Sequence, residues 1–485
     1  MHTLLPVLHV MGMMLLFFGS TYLMPIVSSL IYADGTLYDF LDGLGVCLGF
    51  GGLLALFTYR HRRELKPRDG FLLVTLAWVL MAAIATVPLM LTIDGLSFTD
   101  AFFETMSGLT TTGATVLTGL DALPPSVNLW RHELNWLGGM GIIVLAVAIL
   151  PLLGVGGMQL YKAETPGPMK DSKLTPRIAS TAKALWLVYF GITAACIASL
   201  KLAGMSWLDA ICHAFAALSL GGFSTYDASV GQFNSPLIEG ILIVFMMLAG
   251  INFATHFVAW RGLSLKCYWA DTEAKAFVAL IASSILVCAL YLWGVGTYSD
   301  FGVALRHVAF NLVSIATDCG FASVDYDKWP NFVPLWMLFL SCIAVSSGST
   351  GGGIKMIRTL ILSQQGLREL EKLIHPNVVH PIRVGSTIIP QAISGAVLGF
   401  IFLYALTVGE LTFFLVASGL DFVSAFTAII ACINNAGPGL NVVGPAQNYG
   451  PLTDFQTWIC SLAMLAGRLE IFSLVVLFTP YFWRK

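Results

Sequence analysis

Charged side chains are scarce in this chain: they make up 11% of its 485 residues, whereas 57% are hydrophobic. A soluble domain has too little interior to bury that much apolar surface, so a soluble enzyme or binding module is excluded. Apolar runs of about 20 residues, the length of a membrane-spanning helix, recur along the sequence. The net charge is −2 and there is no long basic tract, so nothing supports binding to nucleic acid. The composition predicts an all-α polytopic membrane protein.

The motifs of membrane-embedded hydrolases are missing as well. The sequence contains neither His-Glu-x-x-His nor Gly-x-Ser-x-Gly, and His213 and His307 have no second ligand at metal-binding spacing. The nine cysteines lie mostly inside apolar runs, where cysteine acts as a small core residue rather than a disulfide partner. We therefore expect no enzyme and no organic cofactor on this chain.

Basic residues set the expected orientation. Twenty of the 25 lysines and arginines fall at every second boundary between apolar runs. Because cytoplasmic loops carry the excess of Lys and Arg, both termini are predicted to be cytoplasmic. The first apolar run, 4–31, is too long for a signal peptide and is interpreted as a retained helix.

Four short segments centred on a glycine interrupt the apolar pattern. Their centres are Gly113, Gly222, Gly320 and Gly437, spaced by 109, 98 and 117 residues. We call residues 110–115, 220–224, 318–322 and 435–439 the first to fourth glycine segments. Irregular backbone at bilayer depth is tolerated only where protein buries it or where it lines a watery cavity. Four such segments at similar spacing therefore predict an ion pore with fourfold pseudo-symmetry.

The residues before each glycine align without gaps. Three residues before each centre the chain is polar (Thr110, Ser219, Thr317, Asn434), and it is polar again thirteen residues before (Asp100, Asp209, His307, Ser424). We interpret the latter as the start of a short re-entrant half-helix. Ten membrane spans and four half-helices follow, in an N-terminal two-helix extension and four helix–pore-helix–helix units. The predicted boundaries are 1–69 for the extension, 70–160, 161–265, 266–375 and 376–485 for the units.

The residues of the glycine segments suit the binding of a permeating cation. A cation needs oxygens to replace its hydration shell, and a ring of backbone carbonyls supplies them. Glycine reaches the backbone conformations that turn such carbonyls to one axis without steric cost. The candidate ion-binding residues are Thr111, Thr112, Gly113, Leu220, Gly221, Gly222, Asp318, Cys319, Gly320, Asn435, Ala436 and Gly437.

These four segments, in the context of the whole chain, resemble the filter loops of the TrkH/TrkG/KtrB superfamily of potassium transporters. The resemblance includes the extra N-terminal helix pair and implies a potassium-channel-like fold in a bacterial inner membrane. It also implies K⁺ as the transported ion, a homodimer, and a cytosolic TrkA-like nucleotide-binding regulatory subunit. In this superfamily glycine in all four filters accompanies potassium preference, and serine in the first accompanies sodium.

A run of poor helix formers marks a candidate gate inside the third unit. It comprises Ser346, Ser347, Gly348, Ser349, Thr350, Gly351, Gly352 and Gly353, and we call it the 346–353 loop. A nucleotide phosphate loop is excluded because Gly-Lys-Ser/Thr is absent, while a flexible cytoplasmic boundary stays an alternative. An intramembrane arginine is costly and usually functional, so we expect Arg468 to lie below the filter and bond this loop. The resemblance implies the same intramembrane gate, and a local pair of Arg468 with Glu470 is the alternative.

Other interpretations remain open from sequence. A Na⁺- or H⁺-coupled potassium symporter needs membrane-embedded carboxylates, for which Asp318 and Glu470 are the candidates. Acidic residues at the outer mouth would attract cations or merely be solvated: Asp94, Asp121, Asp227, Asp325 and Asp327. Basic cytoplasmic loops would dock a regulator or contact membrane lipids.

Overall fold

The computed structural model describes residues 4–61, 65–141, 178–379, 381–385 and 387–484. These residues are mainly helical. Within them, the β structure is one short antiparallel hairpin, in which Arg383–Val384 pairs with Thr387–Ile388. An apolar core runs through the helices, as expected from the composition.

A pair of N-terminal helices precedes the first glycine segment. The first member of the pair consists of Leu4–Phe18 and Leu23–Tyr32, joined by a 3₁₀ turn. The second member, Leu37–Thr58, packs beside the first. The helices that flank the first segment are Pro67–Thr92, Phe98–Leu109 and Pro125–Gly139. Those around the second are Ile178–Leu202, Trp207–Ser219, Pro236–Ala249 and Phe253–Gly262.

The second half of the chain repeats this order. Around the third segment lie Lys266–Ala270, Thr272–Gly294, Phe301–Ala316, Phe332–Ile343 and Met356–Ile374. Around the fourth lie Gln391–Ala417, Phe422–Ile433, Asp454–Arg468, Phe472–Val475 and Pro480–Trp483.

Six of the described helices are long and apolar enough to cross a membrane, and two bent pairs bring the number to eight. The pairs are Pro236–Ala249 with Phe253–Gly262, bent by 97°, and Asp454–Arg468 with Phe472–Phe478, bent by 108°. The apolar run 333–362, expected from sequence to hold the second helix of the third unit, is interrupted between Phe332–Ile343 and Met356–Ile374, as the 346–353 loop suggested. The apolar run 136–153, expected to be the second helix of the first unit, and the basic loop 162–177 that follows it lie largely or wholly outside the described residues.

The four short helices before the glycine segments begin earlier than predicted. Their N-caps are Ser97, Ser206, Asp300 and Asp421, and each side chain accepts a hydrogen bond from the backbone N–H three residues on. Asp100, Asp209 and Ser424 donate these N–H bonds from the first turn, whereas His307 lies inside its helix. The third short helix has 16 residues against 12 or 13 for the others, which displaces its start by about one turn.

Candidate functional site

Each short helix ends in the same backbone motif. A polar residue at or beside the C-cap is followed by a residue in the left-handed conformation: Thr111, Leu220, Asp318 and Asn435, with φ between 55° and 65°. The N–H of the next residue (Thr112, Gly221, Cys319 or Ala436) donates back to the last turn over 2.8–2.9 Å. The left-handed residue itself donates its N–H to the carbonyl three residues back, over 3.0–3.3 Å, and the two bonds define a Schellman ending, in which glycine is the usual left-handed residue. Here threonine, leucine, aspartate and asparagine hold that strained conformation instead.

The central glycines are left-handed as well. Gly113, Gly222, Gly320 and Gly437 have φ values of 79°, 65°, 88° and 87°. Left-handed residues therefore occur two positions before each centre and at the centre itself, but not between them. Such alternation lets neighbouring carbonyl groups face the same side of the chain, a backbone course that glycine adopts without steric cost.

The four segments meet one another in a closed circular order. A Cβ added to Gly113 would lie less than 3.0 Å from the carbonyl oxygen of Gly221 in the second segment. The corresponding atom on Gly222 would meet Cys319 of the third segment, and that on Gly320 would meet Ala436 of the fourth. Gly437 closes the circle against the Thr112 carbonyl. Real Cβ atoms are essentially never found at such distances, so no side chain fits at any of the four centres.

A cavity of about 80 Å³ opens beside this ring. All four central glycines line it, together with Thr115, Ser224 and Asn448. Its wall is therefore shared by the four segments and by the chain that follows them. We call it the outer cavity, since the predicted topology puts it on the extracellular side.

Side-chain hydrogen bonds support the ring from behind. Asn435 donates to the Thr112 hydroxyl over 3.0 Å and so joins the fourth segment to the first. The Tyr449 hydroxyl donates to the Gly437 carbonyl over 2.9 Å, and the Tyr404 hydroxyl donates to Asn434 Oδ1 over 2.7 Å. Buried polar groups that are satisfied in this way fix a local structure.

Two of the acidic residues predicted at the outer mouth accept hydrogen bonds from backbone N–H groups. Asp227 accepts from the N–H groups of Gly119 and Leu120 over 2.8 and 3.0 Å. Asp327 accepts from the Asn441 N–H over 3.1 Å. Each bond connects the chain after one glycine segment to the chain after another.

The 346–353 loop lies against the ends of the short helices. The Thr350 hydroxyl donates to the Leu218 carbonyl over 2.9 Å. Gly351 packs on the Thr317 carbonyl and Gly352 on that of Asn434. Because helix C-termini carry the negative ends of their dipoles, the loop lies in a region whose electrostatic potential favours a cation.

The start of the loop is bonded to neighbouring elements. Ser346 donates its N–H to the Gly250 carbonyl over 3.0 Å, at the bend of the second-segment helix pair. The Ser347 N–H donates to Glu273 over 2.7 Å, and the Gly348 carbonyl accepts from Phe253 over 3.0 Å. The loop closes on itself where the Ser349 hydroxyl donates to Ser346 over 2.6 Å, and Gly353 adopts a left-handed φ of 71°.

Arg468 makes the contact expected from the sequence. Its guanidinium donates to the Thr350 carbonyl over 3.0 Å, and to the carbonyls of Gly138 and Gly139 at the end of Pro125–Gly139. The arginine thereby joins the loop to the C-terminus of another helix, whose last carbonyls have no partner within the helix. Glu470 binds Arg358, just beyond the loop, over 2.7 Å. The role of these residues as a gate stays a prediction.

Sequence reasoning missed a buried ion pair beside the ring. Glu104 and Arg131 approach to 2.7 Å, and their side chains are 0% and 1% exposed. A carboxylate nine residues before Gly113, in the middle of a largely apolar short helix, is the sequence signal that could have drawn attention to it. Its partner lies 27 residues away, and no local pattern indicates that the two meet.

Known proteins resemble this chain along almost its whole length. A family model described as TrkH, cation transport protein, matches residues 38–485. The Trk system potassium uptake proteins TrkH of Halomonas elongata and of Escherichia coli are each 46% identical to it, over 99% and 98% of both chains respectively. The Escherichia coli protein TrkG is 38% identical over 99% of this chain and 98% of its own. The crystal structure of the potassium transporter TrkH from Vibrio parahaemolyticus matches with a TM-score of 0.89, 43% identity and 99% coverage of both chains.

Proposed function

This chain belongs to the TrkH family of cation transport proteins, and from this premise we propose that it takes up potassium ions across a membrane through a pore formed where the four glycine segments meet. Membership of that family makes it a multi-pass membrane transporter rather than an enzyme. The relatives named above are described as potassium uptake proteins, which supports K⁺ as the transported ion.

The circular contact of the four glycine segments carries this proposal. Every central glycine lies against a carbonyl of the next segment, and all four line the outer cavity. Backbone oxygens from four directions are suited to replace the water around a monovalent cation. The twelve filter residues predicted from sequence (Thr111–Gly113, Leu220–Gly222, Asp318–Gly320 and Asn435–Gly437) belong to this ring and are assigned to ion binding.

Passage below the ring is proposed to be controlled by the 346–353 loop and Arg468. The loop lies against the ends of three short helices, and the guanidinium spans from Thr350 to Gly139. A positive charge at this level opposes a cation electrostatically, and the loop opposes it sterically. Movement of the loop away from Arg468 would open the path.

The arrangement and topology predicted from sequence are retained in the proposal. Four units at 70–160, 161–265, 266–375 and 376–485 surround the pore, the extension 1–69 packs at its side, and the spans number ten. Both termini are cytoplasmic in a bacterial inner membrane. The word "system" in the names of the relatives supports a partner, for which we propose a TrkA-like nucleotide-binding regulator and a second copy of this chain.

Ion uptake into vesicles tests the proposal. The purified protein is reconstituted, and uptake of K⁺, Rb⁺ and Na⁺ is compared with that of Gly113→Ser. We expect the parent to prefer K⁺ and Rb⁺, and the variant to lose this preference because a side chain at residue 113 must displace the neighbouring carbonyl. Gly95→Ser is the matched control: Gly95 has a φ of 78° against 79° for Gly113, but nothing lies within 4 Å of an added Cβ.

Two results would contradict the proposal. Equal selectivity in Gly113→Ser and Gly95→Ser would remove residue 113 from the ion path. Single-channel currents that fail to reverse at the K⁺ equilibrium potential would instead favour the Na⁺- or H⁺-coupled symporter.

A further inference from the structure

The Glu104–Arg131 pair joins the outer edges of two glycine segments. Glu104 accepts from the Thr115 hydroxyl over 2.9 and 3.0 Å, and from the Val116 N–H over 3.1 Å. Thr115 lies two residues beyond Gly113 and lines the outer cavity. The carboxylate therefore holds the first segment at the point where the ring opens outward.

Arg131 holds the second segment at the matching position. Its Nη1 donates to the Ser224 carbonyl over 3.3 Å, and Ser224 lies two residues beyond Gly222. Its guanidinium also lies 4.3 Å from the centre of the Phe223 ring. Two bonds to Glu104, over 2.7 and 2.8 Å, connect this arginine to the first segment.

The pair also affects the electrostatic potential of the outer cavity. Arg131 is part of the wall of the outer cavity, through which an entering cation must pass under the proposed function. Glu104 neutralises its charge where water contacts neither group to a significant extent, since both side chains are at most 1% exposed. Without the carboxylate, a buried positive charge would face the ion path with little solvent screening.

We propose that Glu104 and Arg131 are positioning residues of the filter. They set the spacing between the first and second segments, and their mutual neutralisation keeps the outer cavity accessible to cations. This inference rests on the proposed function, because it assigns the pair to the entrance of that pore.

The test uses the full-length protein in vesicles and measures the KM for K⁺ and the K⁺/Na⁺ uptake ratio. For Glu104→Gln we expect the KM for K⁺ to rise about tenfold, because the charge of Arg131 is no longer cancelled beside the path. The double variant Glu104→Gln/Arg131→Gln carries neither charge, and its KM should return to within about threefold of the parent. A role in folding alone would lower the amount of folded Glu104→Gln protein in the membrane and leave the KM of that protein unchanged.

Two further variants complete the design. Glu104→Asp keeps the charge but shortens the side chain that bonds Thr115 and Val116. Its KM should stay within about twofold while its K⁺/Na⁺ ratio falls several-fold, and it provides the test should Glu104→Gln not reach the membrane. Glu239→Gln is the matched control, because Glu239 pairs with Arg306 over the same 2.7 Å and Arg306 bonds Asn234, away from the glycine segments.

Three outcomes would overturn the inference: a parent-like KM in Glu104→Gln, a double variant as impaired as the single one, or parent-like selectivity in Glu104→Asp. The proposed function is judged separately by Gly113→Ser. If Gly113→Ser loses potassium preference while the Glu104 variants behave as the parent, the pore stands and the positioning role falls. If Gly113→Ser is also unchanged, the pore itself is rejected.

Discussion

The glycine ring and the 346–353 loop lie on adjacent levels of the molecule but are held in different ways. In the ring, the α-carbon of each central glycine lies against a carbonyl of the next segment, and an added Cβ would collide. The loop also packs closely, with Gly352 against the Asn434 carbonyl, but its partners are other elements, and hydrogen bonds such as Arg468 with Thr350 and Ser347 with Glu273 add to that packing. The ring is held by contacts of the four segments with one another, and the loop by contacts with the elements around it.

This difference indicates which region can move. In the closed ring any shift of one segment displaces the next around the circle, whereas the loop is a single segment. A hydrogen bond contributes about 0.5–1.5 kcal/mol net, or about 1.5–3 kcal/mol where one partner is charged. At the lower end of this range the bonds of Arg468 to Thr350, Gly138 and Gly139 sum to about 5 kcal/mol, close to the differential binding energy of about 5.5 kcal/mol that switches a two-state element. The ring therefore suits selection and the loop suits gating.

The largest effect is expected from breaking the ring. Gly222→Ala would place a methyl group against the Cys319 carbonyl, at a distance that backbone cannot accommodate. We expect K⁺ uptake into vesicles to fall at least about tenfold, or potassium preference to be lost, because the second and third segments must separate. Gly296→Ala is the control: its φ of 79° adds backbone strain, but there is open space around it. Equal activity of the two variants would show that close packing of the ring is not required.

A smaller effect of opposite sign is expected from releasing the loop. Arg468→Ala removes the bonds to Thr350 and Gly139 together with a positive charge on the proposed path. Passive ion flux in liposomes should rise several-fold, as it should when part of the 346–353 loop is deleted. Arg261→Ala, at an exposed position, is the control for loss of one positive charge. Unchanged flux in both the Arg468 and the deletion variants would rule out this gate.

The smallest effect is expected from weakening the support behind the ring. Tyr404→Phe removes the hydroxyl that bonds Asn434, at a cost of about 1 kcal/mol, which corresponds to a change of about fivefold in the K⁺/Na⁺ uptake ratio at most. Tyr22→Phe removes a comparable buried bond, to the Ile84 carbonyl among the N-terminal helices, and should leave selectivity unchanged. A larger effect of Tyr22→Phe than of Tyr404→Phe would contradict a role of Asn434 in supporting the fourth segment.

The glycine ring could be anticipated because its chemistry is local. A glycine after a polar residue at the end of a short apolar run is visible in sequence, and Thr110, Ser219, Thr317 and Asn434 all lie at the ends of their helices. The left-handed conformation two residues before each glycine was not visible. Leucine at position 220 has no preference for it, and only the packing of the completed ring enforces it.

Features that depend on distant contacts escaped the sequence. The third short helix begins six residues before its aligned residue, His307, whereas the other three begin two residues before theirs. This extra turn escaped because an insertion of one turn leaves the periodicity unchanged. The bend at 469–471 contains Leu469, Glu470 and Ile471, none of which breaks helices, yet Glu470 and Ile471 have positive φ values. Glu104 and Arg131 meet across two helices, and their pairing is set by tertiary packing.

The location of a bound heavy ion tests the central claim most directly. Crystals or frozen grids of the protein prepared in Rb⁺, whose anomalous scattering or added density identifies the ion, should show a peak on the axis enclosed by the carbonyls of Thr112, Gly221, Cys319 and Ala436. Replacement of Rb⁺ by Na⁺ should remove it. Rb⁺ density confined to sites away from these four carbonyls, in a protein that still transports the ion, would contradict the account.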